Sequence, residues 1–73
     1  MFRVYCMEVA RENQDKVEAI LHKYYVNGDI DVKHMEQSRR GGLTTVQYWL
    51  TCVCSDDLDI IAKELRDSGV ELF

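Results

Sequence analysis

The sequence predicts one α+β domain, residues 1–73, with four antiparallel strands and two helices on one face of the sheet. Three observations predict it. Two stretches, Asn13 to Asn27 and Ser55 to Gly69, repeat their apolar residues at helical spacing and end at or beside a glycine. Three others, Phe2 to Val9, Ile30 to Met35 and Leu43 to Cys54, are strand-like: β-branched, aromatic or alternating. The closing Val70 to Phe73 alternates as well and suits a short edge strand. The resulting order is βαββαβ, the ferredoxin-like split βαβ arrangement.

Each element has a local reason. Phe2 to Val9 is apolar on both alternating faces, as in a strand with neighbours on both sides. Val17, Ile20, Leu21, Tyr24 and Tyr25 make the apolar stripe of the first helix, and Gly28 supplies its left-handed stop. Ile30, Val32 and His34 alternate with Asp31, Lys33 and Met35, a half-polar edge strand, and Ser38-Arg39-Arg40-Gly41-Gly42 reads as a turn. Leu43 to Cys54 is the strongest strand signal and is expected at the centre of the sheet. Ser55 is placed to cap the second helix, with Asp56, Asp57 and Asp59 near the positive end of its dipole and Leu58, Ile61, Ala62 and Leu65 as its stripe.

Strict alternation then assigns the faces. The helices are expected over Val4, Cys6, Ile30, Val32, Val46, Tyr48, Leu50 and Cys52. The open face is expected to carry Tyr5, Met7, Met35, Trp49, Val53 and Phe73, an apolar surface that marks an association site. Tyr5, Met7, Met35, Trp49 and Phe73 are the candidate contact residues.

Composition narrows the function classes. The chain has a net charge of -4 and a pI near 5.0, which disfavours nonspecific binding to nucleic acid. Apolar runs are too short to cross a bilayer, so the chain reads as soluble and cytosolic. Cys6, Cys52 and Cys54 are odd in number and sit in strand-like runs, which reads as reduced core thiols rather than a disulfide framework or a metal site. His22 reads as a boundary residue and His34 as an interfacial one. No Ser, His and acid set has catalytic spacing, so no enzyme and no cofactor is expected. Arg39 and Arg40 beside two glycines form a possible anion-binding turn, with a solvated hairpin tip as the plain alternative. The basic-glycine-aromatic signature of RNA recognition motifs is missing from Arg40-Gly41-Gly42-Leu43-Thr44-Thr45.

The strand Phe2-Arg-Val-Tyr-Cys-Met7, the passage Val53-Cys-Ser-Asp-Asp-Leu-Asp-Ile-Ile61, Glu64-Leu65 and the closing Gly69-Val70-Glu71-Leu72 resemble an ACT-like regulatory domain. Within that group the chain is similar over nearly its whole length to the cytosolic C-terminal domain of the MgtC/SapB family of membrane proteins. The resemblance implies a non-catalytic, dimer-forming module attached to a membrane domain and associated with adaptation to low magnesium. ACT domains that bind amino acids have a glycine after the first strand. Ala10-Arg11-Glu12-Asn13-Gln14-Asp15 has none, which counts against such a ligand. The CxxC of metallochaperones and the glycine-rich loop of acylphosphatases are likewise absent there. The leading expectation is a homodimeric regulatory or interaction domain. Two others stay open: a small standalone inhibitor or adaptor, viral for example, that docks a basic partner, and a small-ligand or metal sensor.

Overall fold

A computed structural model describes residues 3–73. The expected start of the first strand at Phe2 lies outside the described residues. Strand β1 (Val4–Ala10) passes through a 3-10 turn (Arg11–Asn13) into helix α1 (Gln14–Val26). Strands β2 (Ile30–Arg40) and β3 (Leu43–Cys52) form a hairpin, and helix α2 (Ser55–Asp67) follows. The strands are antiparallel in the order β1-β3-β2, so β3 is central as expected. The expected fourth strand is reduced to one bridge, Val9 with Leu72, on the outer side of β1. Phe73 N–H donates to Glu8 O at 3.0 Å beside it. The mixed α+β architecture therefore stands, with three strands rather than four among the described residues.

Packing explains which residues became which element. Val17, Ile20 and Leu21 of α1 and Ile61 and Leu65 of α2 are buried against Val46, Tyr48, Leu50 and Cys52 of β3, with Met7, Val9, Ile30 and Val70 completing the core. Leu50, Ile61 and Leu65 are fully covered, and burying a side chain of this size contributes about 1.5–3 kcal/mol. Both helices end in the same way. Gly28 N–H donates to Tyr25 O and Asp29 N–H to Tyr24 O; Gly69 N–H donates to Arg66 O and Val70 N–H to Leu65 O. These are paired Schellman bonds around a left-handed glycine, φ +86° in each case. At the second, Val70 is also buried in the core beside Leu65.

Several boundaries differ from expectation. Strand β2 continues through Ser38 to Arg40, because β3 supplies Gln47, Val46, Thr45, Thr44 and Leu43 as register partners; only Gly41 and Gly42 remain as loop. Positive φ at Gly41 alone is the pattern of a type II′ hairpin. Strand β3 stops at Cys52, and Val53 N–H donates to Asp29 O at 3.0 Å. Ser55 is the first residue of α2 rather than its cap: the cap position is Cys54, with no side-chain cap bond.

The face assignment needs two larger corrections. In β1 the register sets Tyr5 opposite Leu50, Met7 opposite Tyr48 and Val9 opposite Val46. Residues directly opposite share a face, so the core side is Tyr5, Met7 and Val9, and the open side is Val4, Cys6 and Glu8. Met7 is buried and Tyr5 packs against the core, while Val4 and Cys6 are exposed. In β2 the pairing slips between Val32, opposite Leu50, and His34, opposite Trp49. Lys33 is the extra residue of a β-bulge, and one extra residue inverts every later side chain. His34 therefore stands on the open face and Met35, opposite Tyr48, on the helix side.

The helix end gives a direct test of the backbone account. No atom lies within 4 Å of a Cβ built on Gly69, so Gly69→Ala meets no clash and is charged only for its left-handed backbone. We expect a loss of about 1–2 kcal/mol in urea unfolding, against about 2–5 kcal/mol for the cavity left by Leu65→Ala.

Candidate functional site

On the open face of the sheet one charged side chain, Glu8, is nearly covered. Its carboxylate is held by three donors: Thr45 Oγ1 at 2.6 Å, Arg40 Nη2 at 3.1 Å and Gln47 Nε2 at 3.4 Å. Thr45 comes from the end of β3 opposite Ala10, and Arg40 is the last residue of β2, so the carboxylate ties all three strands together. The bonds from Thr45 and Arg40, ahead of burial acting in the other direction, hold the Glu8 carboxyl below its usual range. Arg40 also lies over the Phe73 ring, 5.5 Å from its centroid. The carboxylate of this β1 residue is thus hydrogen-bonded by side chains of β2 and β3 and fastens the three strands to one another.

Further along the same face, Trp49 lies between Cys6 on β1 and His34 on β2. The His34 and Trp49 rings are 5.0 Å apart and tilted by 52°. Among the expected contact residues, Trp49 and Phe73 are on this face, Tyr5 and Met7 belong to the core, and Met35 is on the other side. The five are not one surface. Arg39 and Arg40 point to opposite faces as successive strand residues, and Arg40 is engaged by Glu8, so the two do not converge on an anion. The three thiols are separated too: Cys52 is in the core, Cys6 on the open face and Cys54 at the start of α2. Among the described residues no group of three His, Cys, Asp or Glu is placed to hold a metal ion.

The helix side carries the second candidate surface. Between α1 and β2 runs an open groove of about 390 Å³ lined by Leu21, His22, Tyr25, Val32, Met35 and Tyr48, with Glu18 and Asp31 at its rim. Tyr48 O–H donates to Glu18 at 3.1 Å, and burial, then the Glu18 charge, push the hydroxyl far above the ordinary tyrosine range. Met35 and Tyr25 are about half exposed, at 50% and 55%. The groove opens beside the outer edge of β2, whose neighbour on the other side is β3. Among the described residues nothing pairs with that outer side, and an unpaired strand edge is a template for another strand. A strict two-residue period carried past Lys33 puts Met35 on the wrong face. Tyr25, expected in the apolar stripe of the first helix, and Val32, expected under the helices, are instead exposed at this groove. Glu8 was the legible signal: a lone acid inside an apolar strand calls for partners.

Three other titratable groups hold the two helices together. Lys23 bonds Glu64 across the helix pair, and Tyr24 O–H donates to the same carboxylate at 2.6 Å. These two bonds lower the Glu64 carboxyl, and the bond to Glu64 raises the Tyr24 hydroxyl. Among the described residues no helix is long and apolar enough to cross a membrane. Comparison with family models, curated proteins and solved structures finds no match in any of the three.

Two outcomes follow for solution work. Glu8 and Glu64 have folded-state values below 4.5, so their stabilisation is full above about pH 4.5 and is lost as pH falls through the folded values. Thermal melts from pH 6 to 3 should show a fall in Tm that is shallower in Glu8→Gln. Thiol labelling followed by mass spectrometry should modify Cys6 and Cys54 in the native protein and Cys52 only after denaturation.

Proposed function

We propose that this chain is a non-catalytic protein-interaction module of the ACT-like regulatory kind, working as a homodimer joined through the outer edge of β2. The observation that carries the reading is the β2 edge, unpaired among the described residues, with exposed apolar side chains beside it: Val32 and Met35 on the strand and Tyr25 on α1. Pairing of two such edges satisfies backbone groups and covers the groove in one step. Small size supports it, since a 73-residue chain has a thin core and gains from a partner surface. The commitment of Glu8, Glu64, Tyr24 and Tyr48 to bonds within the fold supports a binding role over a catalytic one. The sequence resemblance to the cytosolic domain of MgtC/SapB proteins suggests a setting, in which the dimer would link the membrane domains that carry it.

Light scattering over a concentration series tests the reading. A dimer is expected, and Met35→Lys, at a half-exposed position, should leave circular dichroism unchanged while giving a monomer. A wild-type chain that stays monomeric up to millimolar concentration overturns it.

A further inference from the structure

On the reading that two copies join at β2, the strand's own residues select the register. We infer that the partner on this edge is a second copy paired antiparallel about a two-fold axis at Met35. The strand is complementary to its own reverse. With the axis at Met35, His34 of each copy stands opposite Glu36 of the other on the open face. The same two residues are already neighbours within one chain, Nε2 to Oε2 at 3.5 Å, so the dimer would carry an alternating ladder of two imidazoles and two carboxylates. On the helix side the two Met35 side chains meet at the mouths of the two grooves, where Val32 and Tyr25 already present apolar surface.

The two next registers toward the hairpin fail on named contacts. An axis at Glu36 sets Glu36 against its own copy, and like charges directly opposite destabilise a strand pair. An axis at Gln37 sets Met35 against Arg39 and His34 against Arg40, which removes both the apolar and the ionic match. The bulge fits the Met35 axis. With Lys33 as the extra residue, Val32 comes opposite Gln37 of the second copy, and both lie on the helix side. Side chains thus agree in face on both sides of the bulge. The occupant of the edge is a copy of the same strand, because its charges are arranged to match their own reverse.

Cysteine cross-linking tests the register separately from the dimer itself. In a Cys6→Ser/Cys54→Ser background, Met35→Cys should form a disulfide-linked dimer under mild oxidation, since residues on the axis have Cα atoms roughly 4.5–5.5 Å apart. Gln37→Cys should not, being displaced from its own copy by roughly four residue steps, about 13 Å. His34→Glu gathers four carboxylates on one face and should weaken dimerisation about tenfold, and adding Glu36→His should restore it. A dimer by light scattering that cross-links through Gln37→Cys, or through neither position, overturns the register while leaving the dimer standing. A monomer at all concentrations overturns both.

Discussion

The structure depends on one constraint, that β3 must be paired on both sides and covered by both helices at once. Its residues Val46, Tyr48, Leu50 and Cys52 are buried under α1 and α2. Every other element takes its position from that strand. The odd residues of β1 turn to the core because their register partners on β3 are the even ones, and β2 runs to Arg40 because β3 offers partners that far. Even the polar fastening at Glu8 is anchored on β3, through Thr45 and Gln47.

A single residue in β2 then decides which surface is available for association. Without the bulge at Lys33, Met35 would join Trp49 on the open face and make the apolar patch that alternation suggests. With it, the open face is a mixed surface of Trp49, His34 and Glu36 ending in a satisfied carboxylate cluster, and the apolar residues gather at the groove. On the proposed reading, association moves from a sheet face to a sheet edge. Edge association relies on backbone hydrogen bonds for strength and on a few side chains for register, which suits a strand whose side chains are mostly polar.

The charged groups show the same economy of place. The chain has an acidic excess, and several of its acids are tied internally: Glu8 to Arg40, Glu64 to Lys23, Asp31 to Lys33 and Asp67 to Lys63. The first two join distant parts of the chain and hold strand to strand and helix to helix. The other two are local pairs between exposed side chains and contribute little to stability.

By itself the sequence determined what short-range physics can decide. The two helices, most of their apolar stripes, the glycine stops after Asn27 and Ser68 and the central place of β3 follow from spacing and backbone preference within a dozen residues, while Tyr25, expected in the first stripe, stands exposed. The candidate site was legible only in part: Met35 and Trp49 were singled out, but on one shared face, and Tyr5 and Met7 were placed with them although they belong to the core. Only the tertiary structure decided the faces. A strand apolar on both sides, such as β1, has no preferred side until a partner fixes its register. A bulge leaves no mark in composition, because the extra residue is set by competition between two strands for the same hydrogen bonds. The fourth strand met the same limit: Val70 is drawn into the core and Leu72 packs beside it, so that β1 gains one bridge there rather than a ladder.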